Sequence, residues 1–230
     1  MPGRIEITSA QQDALFKSIE TLCALFRGPG LDQCKEMLKG NFFVPFEKLD
    51  SLLNCNPPAA LENLKRGTLE FSDEQSLLDY LETSYVRLFI NARTGITAPL
   101  YHSCYLDTDS SDSRPGLMGE SAGFMKQRLR SRGLSIDGSI KDPPDHLCIE
   151  LEYLYFLLQQ GMFEEDEGAM KEAISFAGAF MLPWVTVFRD RLLGNSACYF
   201  YPIAAAILTT HLQIVTRMTK KTRPVLPDNR

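Results

Sequence analysis

The chain is poor in the residues from which metal and redox sites are usually built, and those it has are scattered. Its six cysteines (Cys23, Cys34, Cys55, Cys104, Cys148 and Cys198) form no C-x-x-C pair. Most fall within helical patterns, so they are expected to be reduced, packed thiols. There are only three histidines. His102-Ser103-Cys104 and His146-Leu147-Cys148 would offer four zinc ligands on paper. Residues two apart on a helix, however, point about 200° away from each other. His146 and Cys148 could ligate one ion only if the helix began after Cys148, and no metal site is expected. With so few bases and no G-x-S-x-G elbow, hydrolysis by a Ser–His or Cys–His unit is not expected either. Neither G-x-x-x-x-G-K-S/T nor G-x-G-x-x-G occurs, so a conventional nucleotide cradle is excluded.

Excess positive charge is also missing. Twenty-four Lys and Arg stand against 29 Asp and Glu, a net charge of −5. A general nucleic-acid binder needs a basic face to neutralise phosphates, so nucleic acid is not an expected partner. An acidic protein can still attract a basic peptide. Long apolar runs are absent as well. The most apolar stretch, Tyr201 to Val215, is too short to span a bilayer and contains His211 and Gln213. Met1 to Thr8 lacks the apolar run of a secretory signal. A cytoplasmic location without stable membrane insertion is therefore expected. No useful stretch alternates with the strand period, no Asn-Gly or Asp-Gly turn is flanked by alternating residues, and no repeat is evident.

What remains is helix. From Thr8 or Ser9, a good cap, the residues Leu15, Phe16, Ile19, Leu22, Cys23 and Phe26 make an apolar stripe that Gly28-Pro29-Gly30 stops. A short helix from Leu31 ends at Gly40, and Phe42 to Phe46 lead into a helix through Leu53. Pro57-Pro58 opens another, through about Leu64. Ser72-Asp73-Glu74 starts a helix carrying Leu77, Leu78, Leu81, Tyr85, Leu88 and Phe89. Residues 91–120 lack periodicity, and the polar tract Thr108 to Gly116 cannot bury enough apolar area to offset the entropy of ordering it. Ser121 is read as the cap of a basic helix with Lys126, Arg128, Arg130 and Arg132, ended by Gly133. After a helix from Leu147, an apolar helix follows Glu164 to Glu167 and is expected to be interrupted at Pro183. Trp184, Val187, Phe188 and Leu192 continue beyond it. A last helix holds Phe200, Ala204, Ile207, Leu208, His211, Leu212 and Val215, with His211 read as a packed core residue, and the end with Lys220-Lys221 reads as a solvated tail. The expected fold is all-α, a single helical-bundle domain over 1–230 with about 8–11 helices. Its N-terminal half is 8–91, its long mid-chain loop 92–120 and its C-terminal half 121–220.

One stretch combines apolar and polar signals: Asp142-Pro143-Pro144-Asp145-His146, followed by Leu147, Leu151, Leu154, Tyr155 and Leu158 at helical spacing. Proline tolerates a helix's first turn but not its interior, which places Asp145 and His146 at a helix N-terminus. There the free N–H groups and the dipole favour a capping carboxylate or a bound anion. His146 and Glu150, four apart, would share a face. A long loop beside a helix start can form a groove for an amphipathic or extended peptide. The aromatics Tyr85, Phe89, Tyr101 and Tyr105 suit such a groove, although their pattern alone favours simple core packing.

A series of fragments in order bears on that choice. Tyr85-Val86-Arg87-Leu88-Phe89 is followed by Ala98-Pro99-Leu100-Tyr101-His102-Ser103-Cys104-Tyr105 and Leu117-Met118-Gly119-Glu120, then by Pro143-Pro144-Asp145-His146 with Glu150 to Leu154. Leu182-Pro183-Trp184 and Phe200-Tyr201 lie at fitting distances beyond. Over about residues 70–215 the chain resembles the TorD/DmsD/NarJ family of redox-enzyme maturation proteins. That family has a Y-x-R-L-F helix end, a P-P-Y/W-x-S-x-Y loop and an E/D-P-x-D-H helix start. The resemblance implies an all-helical, non-catalytic cytoplasmic chaperone. It would bind the twin-arginine signal peptide or N-terminal region of a molybdopterin-containing oxidoreductase precursor until the cofactor is loaded. It implies no required cofactor, although some members bind guanine nucleotide weakly, and either a monomer or a helix-exchanged dimer. The peptide contacts it implies are Tyr85, Leu88, Phe89, Pro99, Tyr101, Ser103, Pro144, Asp145 and His146. Asp145, with Asp107, Asp109 and Glu120, could meet the paired arginines, or Asp145 could only cap its helix. Leu100 replaces the family's second loop proline, and His102 replaces its small or acidic residue, which points to a peptide preference of its own. Two other functions stay open: a nucleotide- or molybdenum-cofactor handler, and a helical interaction protein with no signal-peptide role.

Overall fold

A computed structural model describes residues 8–54, 59–91, 96–105, 119–194 and 198–218. The fold is all-α. The described residues form ten α-helices and no β-strand, and an isolated bridge joins Tyr101 to His146. The helices are α1 (Ser9–Arg27), α2 (Leu31–Leu38), α3 (Val44–Leu53), α4 (Ala60–Thr68), α5 (Glu74–Tyr85), α6 (Glu120–Ser131), α7 (Leu147–Phe163), α8 (Glu167–Ser175), α9 (Leu182–Leu193) and α10 (Phe200–Arg217). The polar tract of the mid-chain loop, Asp107, Asp109, Leu117, Met118, the Pro57-Pro58 helix start, Asn195-Ser196 and the Lys220-Lys221 tail lie outside the described residues.

Local chemistry explains most of the ends. Thr8 and Gln11 cap α1 reciprocally: the Gln11 N–H donates to the Thr8 hydroxyl oxygen, and the Thr8 N–H to Gln11 Oε1 at 2.7 Å. Asp73 accepts from the Ser76 N–H at 2.8 Å and starts α5. Gly28 and Gly40 end their segments at φ 129° and 82°, conformations that a side chain makes strained.

Two expected boundaries differ. Pro183 does not interrupt its helix. The chain runs helically from α8 through a π-turn at Phe176–Met181 straight into α9, with Pro183 in the first turn of α9. The wide turn gives room where the proline ring would otherwise meet the carbonyl four residues back. Ser121 is not a cap. Gly119 occupies that position, and the Ser121 hydroxyl is drawn to Asp145 instead. A second π-turn, Val86–Ile90, extends α5 and buries Leu88 and Phe89.

One contiguous set of buried side chains joins all ten helices. Near its centre the rings of Phe26, Phe89, Phe188 and Tyr201 meet edge to face and stacked. α1 packs on α3, α7 and α10, and α7 lies along α8. α6 is tied to this pair by ion pairing. Arg128 and Arg132 both reach Glu172, Arg132 also reaches Asp166, and the Tyr153 hydroxyl donates to Glu172 at 2.6 Å. Two of the four cations on the basic helix are therefore committed within the protein.

α7 and α8 approach closely at Gly161, where a Cβ would lie 2.9 Å from the Met170 backbone nitrogen and Cα. Gly161→Ala is expected to lower stability by about 1–3 kcal/mol through forced separation of the two helices. Gly123→Ala, where nothing lies within 4 Å, should not lower it. Urea unfolding of the two variants side by side checks this.

Candidate functional site

The site is assembled where the segment 96–105 crosses the start of α7. Two backbone bonds clamp it there: the His102 N–H donates to the Asp145 carbonyl at 3.0 Å, and the Leu147 N–H to the Leu100 carbonyl at 2.8 Å. The Ala98 N–H donates to the Leu88 carbonyl, and the Tyr105 hydroxyl donates to the Pro99 carbonyl. Leu100, which stands where the family pattern has proline, is buried beneath the clamp.

The side chain of Asp145 is fully buried. Its Oδ2 accepts from the Ser103 N–H at 2.9 Å and from the Ser121 hydroxyl at 3.0 Å. It thus latches the segment to α6, while its main chain is the clamp. It does not cap α7. His146 does, its Nδ1 accepting from the Cys148 N–H at 3.1 Å. That makes Nε2 the protonated nitrogen of a neutral ring, consistent with burial holding this imidazole below its ordinary pKa. His146→Ala is expected to cost about 1 kcal/mol, and His146→Asn, which can cap, should recover most of it in thermal unfolding.

Beneath the clamp lies a polar group in an apolar setting. Glu150 is fully buried, with its Oε1 3.0 Å from His102 Nδ1 and its Oε2 accepting from the Trp184 indole N–H at 3.0 Å. His102 stacks on Trp184 at 5.3 Å and meets Phe180 edge-on. Burial pushes the Glu150 carboxyl up to about 7, against the pull of His102 and Trp184. His102, a departure from the family pattern, therefore has a structural partner. Glu150 shares a helix face with His146, but its bonds are to His102 and Trp184. His211 sits in the core against Phe46, where burial pushes its imidazole down to about 4.

Outside the clamp is a cleft of about 540 Å³, lined by residues that include Arg27, Tyr85, Phe89, Ile90, Tyr101, Asp142, His146 and Ile149. The Tyr85 hydroxyl donates to the Phe26 carbonyl, and Phe89 packs behind it. Tyr101 leans edge-on against His146 and donates to Asp142 Oδ1 at 3.0 Å. Burial, then the Asp142 carboxylate, push its phenol up to about 12. Asp142 itself is exposed. Arg27 pairs with Glu152 and lines both this cleft and an adjoining hollow of about 410 Å³, whose walls include Ile19, Glu20, Ala24, Leu151 and Tyr155. A third hollow of about 590 Å³ lies between α6 and residues 134–144.

Of the nine residues expected to contact peptide, Tyr85, Phe89, Tyr101 and His146 line one cleft. Leu88, Ser103 and Asp145 are buried behind it. Pro144 faces the third hollow, and Pro99 is half-buried in the crossing segment. Of the acids, Glu120 opens α6, exposed but outside the cleft lining. Sequence reasoning missed Arg27, Asp142 and the Glu150 network. Glu150 carried a signal, a lone acid among Leu147, Cys148, Ile149 and Leu151. Arg27 carried none, because its place in the cleft comes from packing across 125 residues of chain.

The chain is similar to several known proteins. A chaperone protein TorD of Vibrio vulnificus is 29% identical over 140 residues, 59% of this chain and 62% of that protein, so under two thirds of its length is matched. A chaperone protein TorD of Vibrio cholerae is 23% identical over 157 residues, 66% of this chain and 68% of that one. A crystal structure of a redox enzyme maturation protein from Archaeoglobus fulgidus matches with a TM-score of 0.49 and 17% identity, covering 93% of this chain and 99% of that one. The family model described as nitrate reductase delta subunit matches residues 55–190, more than half of the chain, and the protein therefore belongs to that family, the TorD/NarJ group of redox-enzyme maturation proteins.

Proposed function

We propose that this protein is a non-catalytic cytoplasmic chaperone for the precursor of a molybdopterin-containing oxidoreductase subunit. It binds the precursor's twin-arginine signal peptide or N-terminal region before export. The observation that carries this reading is the cleft itself, aromatic on one wall and edged by the exposed carboxylate of Asp142 beside the Tyr101 hydroxyl. Asp142, rather than the buried Asp145, is the carboxylate offered to a peptide arginine. The adjoining hollow adds apolar surface from Ile19, Ala24, Leu151 and Tyr155 for the peptide's apolar stretch, and the acids Glu20 and Glu152. Arg27 is paired with Glu152, and the Lys141 ammonium donates to the Gly138 carbonyl. Both cations are thus partly neutralised or occupied. The membership in the family and the relatives named chaperones support the same reading.

Ordering a flexible peptide costs about 2–5 kcal/mol, whereas micromolar affinity corresponds to about −8 kcal/mol net. Apolar burial must then supply most of the affinity, and charge the selectivity. Titration of a twin-arginine peptide into the protein should saturate in the micromolar range. Tyr101→Ala should weaken it roughly tenfold or more, since a half-buried aromatic is the kind of side chain that dominates an interface. A titration that stays flat to high micromolar peptide would remove the signal-peptide reading.

A further inference from the structure

Between the cleft and its adjoining hollow, α1 and α7 bring two thiols together. The Cys23 thiol donates to the Cys148 carbonyl at 3.6 Å, and the Cys148 thiol donates to the Cys23 carbonyl at 3.4 Å. Each thiol thus lies against the main chain of the other residue, where the two helices meet. Arg27, one turn on from Cys23, places a guanidinium nitrogen 3.9 Å from its sulfur. Cys23 lines the hollow with Arg27 and Glu152, so a small molecule can approach it, whereas Cys148 is buried behind it and borders the cleft.

We propose that Cys23 and Cys148 form a paired-thiol modification site that reacts with a low-molecular-weight disulfide and becomes a disulfide joining α1 to α7. Cys23 is the attacking member. Its thiol is held below its ordinary pKa by the neighbouring Cys148 side chain and, against burial and Glu152, by Arg27, while the Cys148 thiol is held well above its own. The Cys23 thiolate attacks one sulfur of the small disulfide. That S–S bond breaks, a mixed disulfide forms at Cys23, and one small thiolate leaves and takes up a proton. Cys148 then loses its proton to solvent and attacks the Cys23 sulfur, and the second small thiol departs. Two protein thiols are oxidised to one disulfide, and one small disulfide is reduced to two thiols. The other described cysteines are less suited to attack. Cys34 is fully buried with its thiol pushed up to about 11, Cys104 is raised by burial, and Cys198 is buried.

The test uses the full chain and oxidised glutathione, followed by alkylation of remaining thiols, digestion and mass spectrometry. Alkylation at Cys23 and Cys148 should fall at least about tenfold, a linked Cys23–Cys148 peptide should appear, and reductant should reverse both. Cys148→Ser should hold glutathione at Cys23 with no internal link, and Cys23→Ser should leave Cys148 fully alkylatable. Wild-type protein whose two thiols stay alkylatable, or whose Cys23 links elsewhere, would overturn the proposal, as would a Cys148→Ser variant, helical by circular dichroism, that gains no adduct. These outcomes do not depend on peptide binding.

Discussion

Glu150→Ala is expected to destabilise the protein by about 2–5 kcal/mol, from two buried polar partners left unpaired and the cavity that remains. The urea midpoint would drop with little change in slope. The loss has two sources. The Trp184 indole N–H and His102 Nδ1 each bond the Glu150 carboxyl at 3.0 Å, and alanine leaves both without a partner in a dry site. The missing side chain also leaves a cavity beneath the clamp. Glu150→Gln keeps an acceptor for Trp184 and nearly the same volume, so its loss should be much smaller. A loss below about 1 kcal/mol for the alanine variant would mean that the network adds little to the fold.

The same carboxyl sets a pH dependence whose sign is fixed. Burial raises Glu150 from the ordinary 4.5 to about 7 in the folded protein. Between those values the folded state holds a proton that the unfolded state releases, so stability falls as pH rises from about 4.5 to 7 and is flat outside that window. At about 1.4 kcal/mol per tenfold change in proton affinity, the span is worth about 3 kcal/mol. His211, depressed to about 4, works in the opposite direction below its ordinary 6.5. Comparison with Glu150→Gln cancels that contribution: the variant's stability relative to wild type should rise across pH 4.5–7. Trp184 is the chain's single tryptophan, and its emission should titrate near pH 7 in wild type and not in Glu150→Gln.

Asp145→Ala is the second large effect, expected at about 2–4 kcal/mol because two hydrogen bonds to a buried carboxylate are lost together. The Ser103 N–H and the Ser121 hydroxyl would lose their acceptor, unlatching the crossing segment from α6. Since Tyr101 rides on that segment, peptide affinity should fall with stability, and a backbone-rigidity measurement such as amide exchange at Ser103 should show the loosening. Asp145→Asn, which retains one acceptor oxygen, should recover part of both. A variant that loses affinity with an unaltered unfolding midpoint would instead place Asp145 in contact with peptide.

The helices were legible because periodicity is a local property. The Leu15-to-Phe26 stripe, the Asp73 cap and the glycine stops each carry their signal within a few residues. Pro183 misled because a π-turn upstream absorbs the ring, and nothing in a 3.6-residue pattern announces that wider turn. Ser121 misled because its hydroxyl satisfies a buried acid that lies 24 residues away in sequence. The candidate site was legible in part for the same reason. Tyr85, Tyr101 and His146 belong to motifs whose order places them together, and they do line one cleft. The burial of Asp145 and the exposure of Asp142, three residues apart, depend on how the crossing segment lies over α7, and no spacing encodes that. The pairing of His102 with Glu150 spans 48 residues, and no local pattern joins the two positions.

The proposed role of the cleft rests on Asp142 meeting a peptide arginine, and a thermodynamic cycle tests that contact directly. Binding of a twin-arginine peptide and of the same peptide with both arginines replaced by glutamine would be measured calorimetrically against wild type and Asp142→Asn. The expected result is that Asp142→Asn weakens the arginine peptide about five- to tenfold and the glutamine peptide hardly at all, a coupling of about 1 kcal/mol with an unchanged unfolding midpoint. Equal effects of Asp142→Asn on both peptides, or none on either, would contradict it.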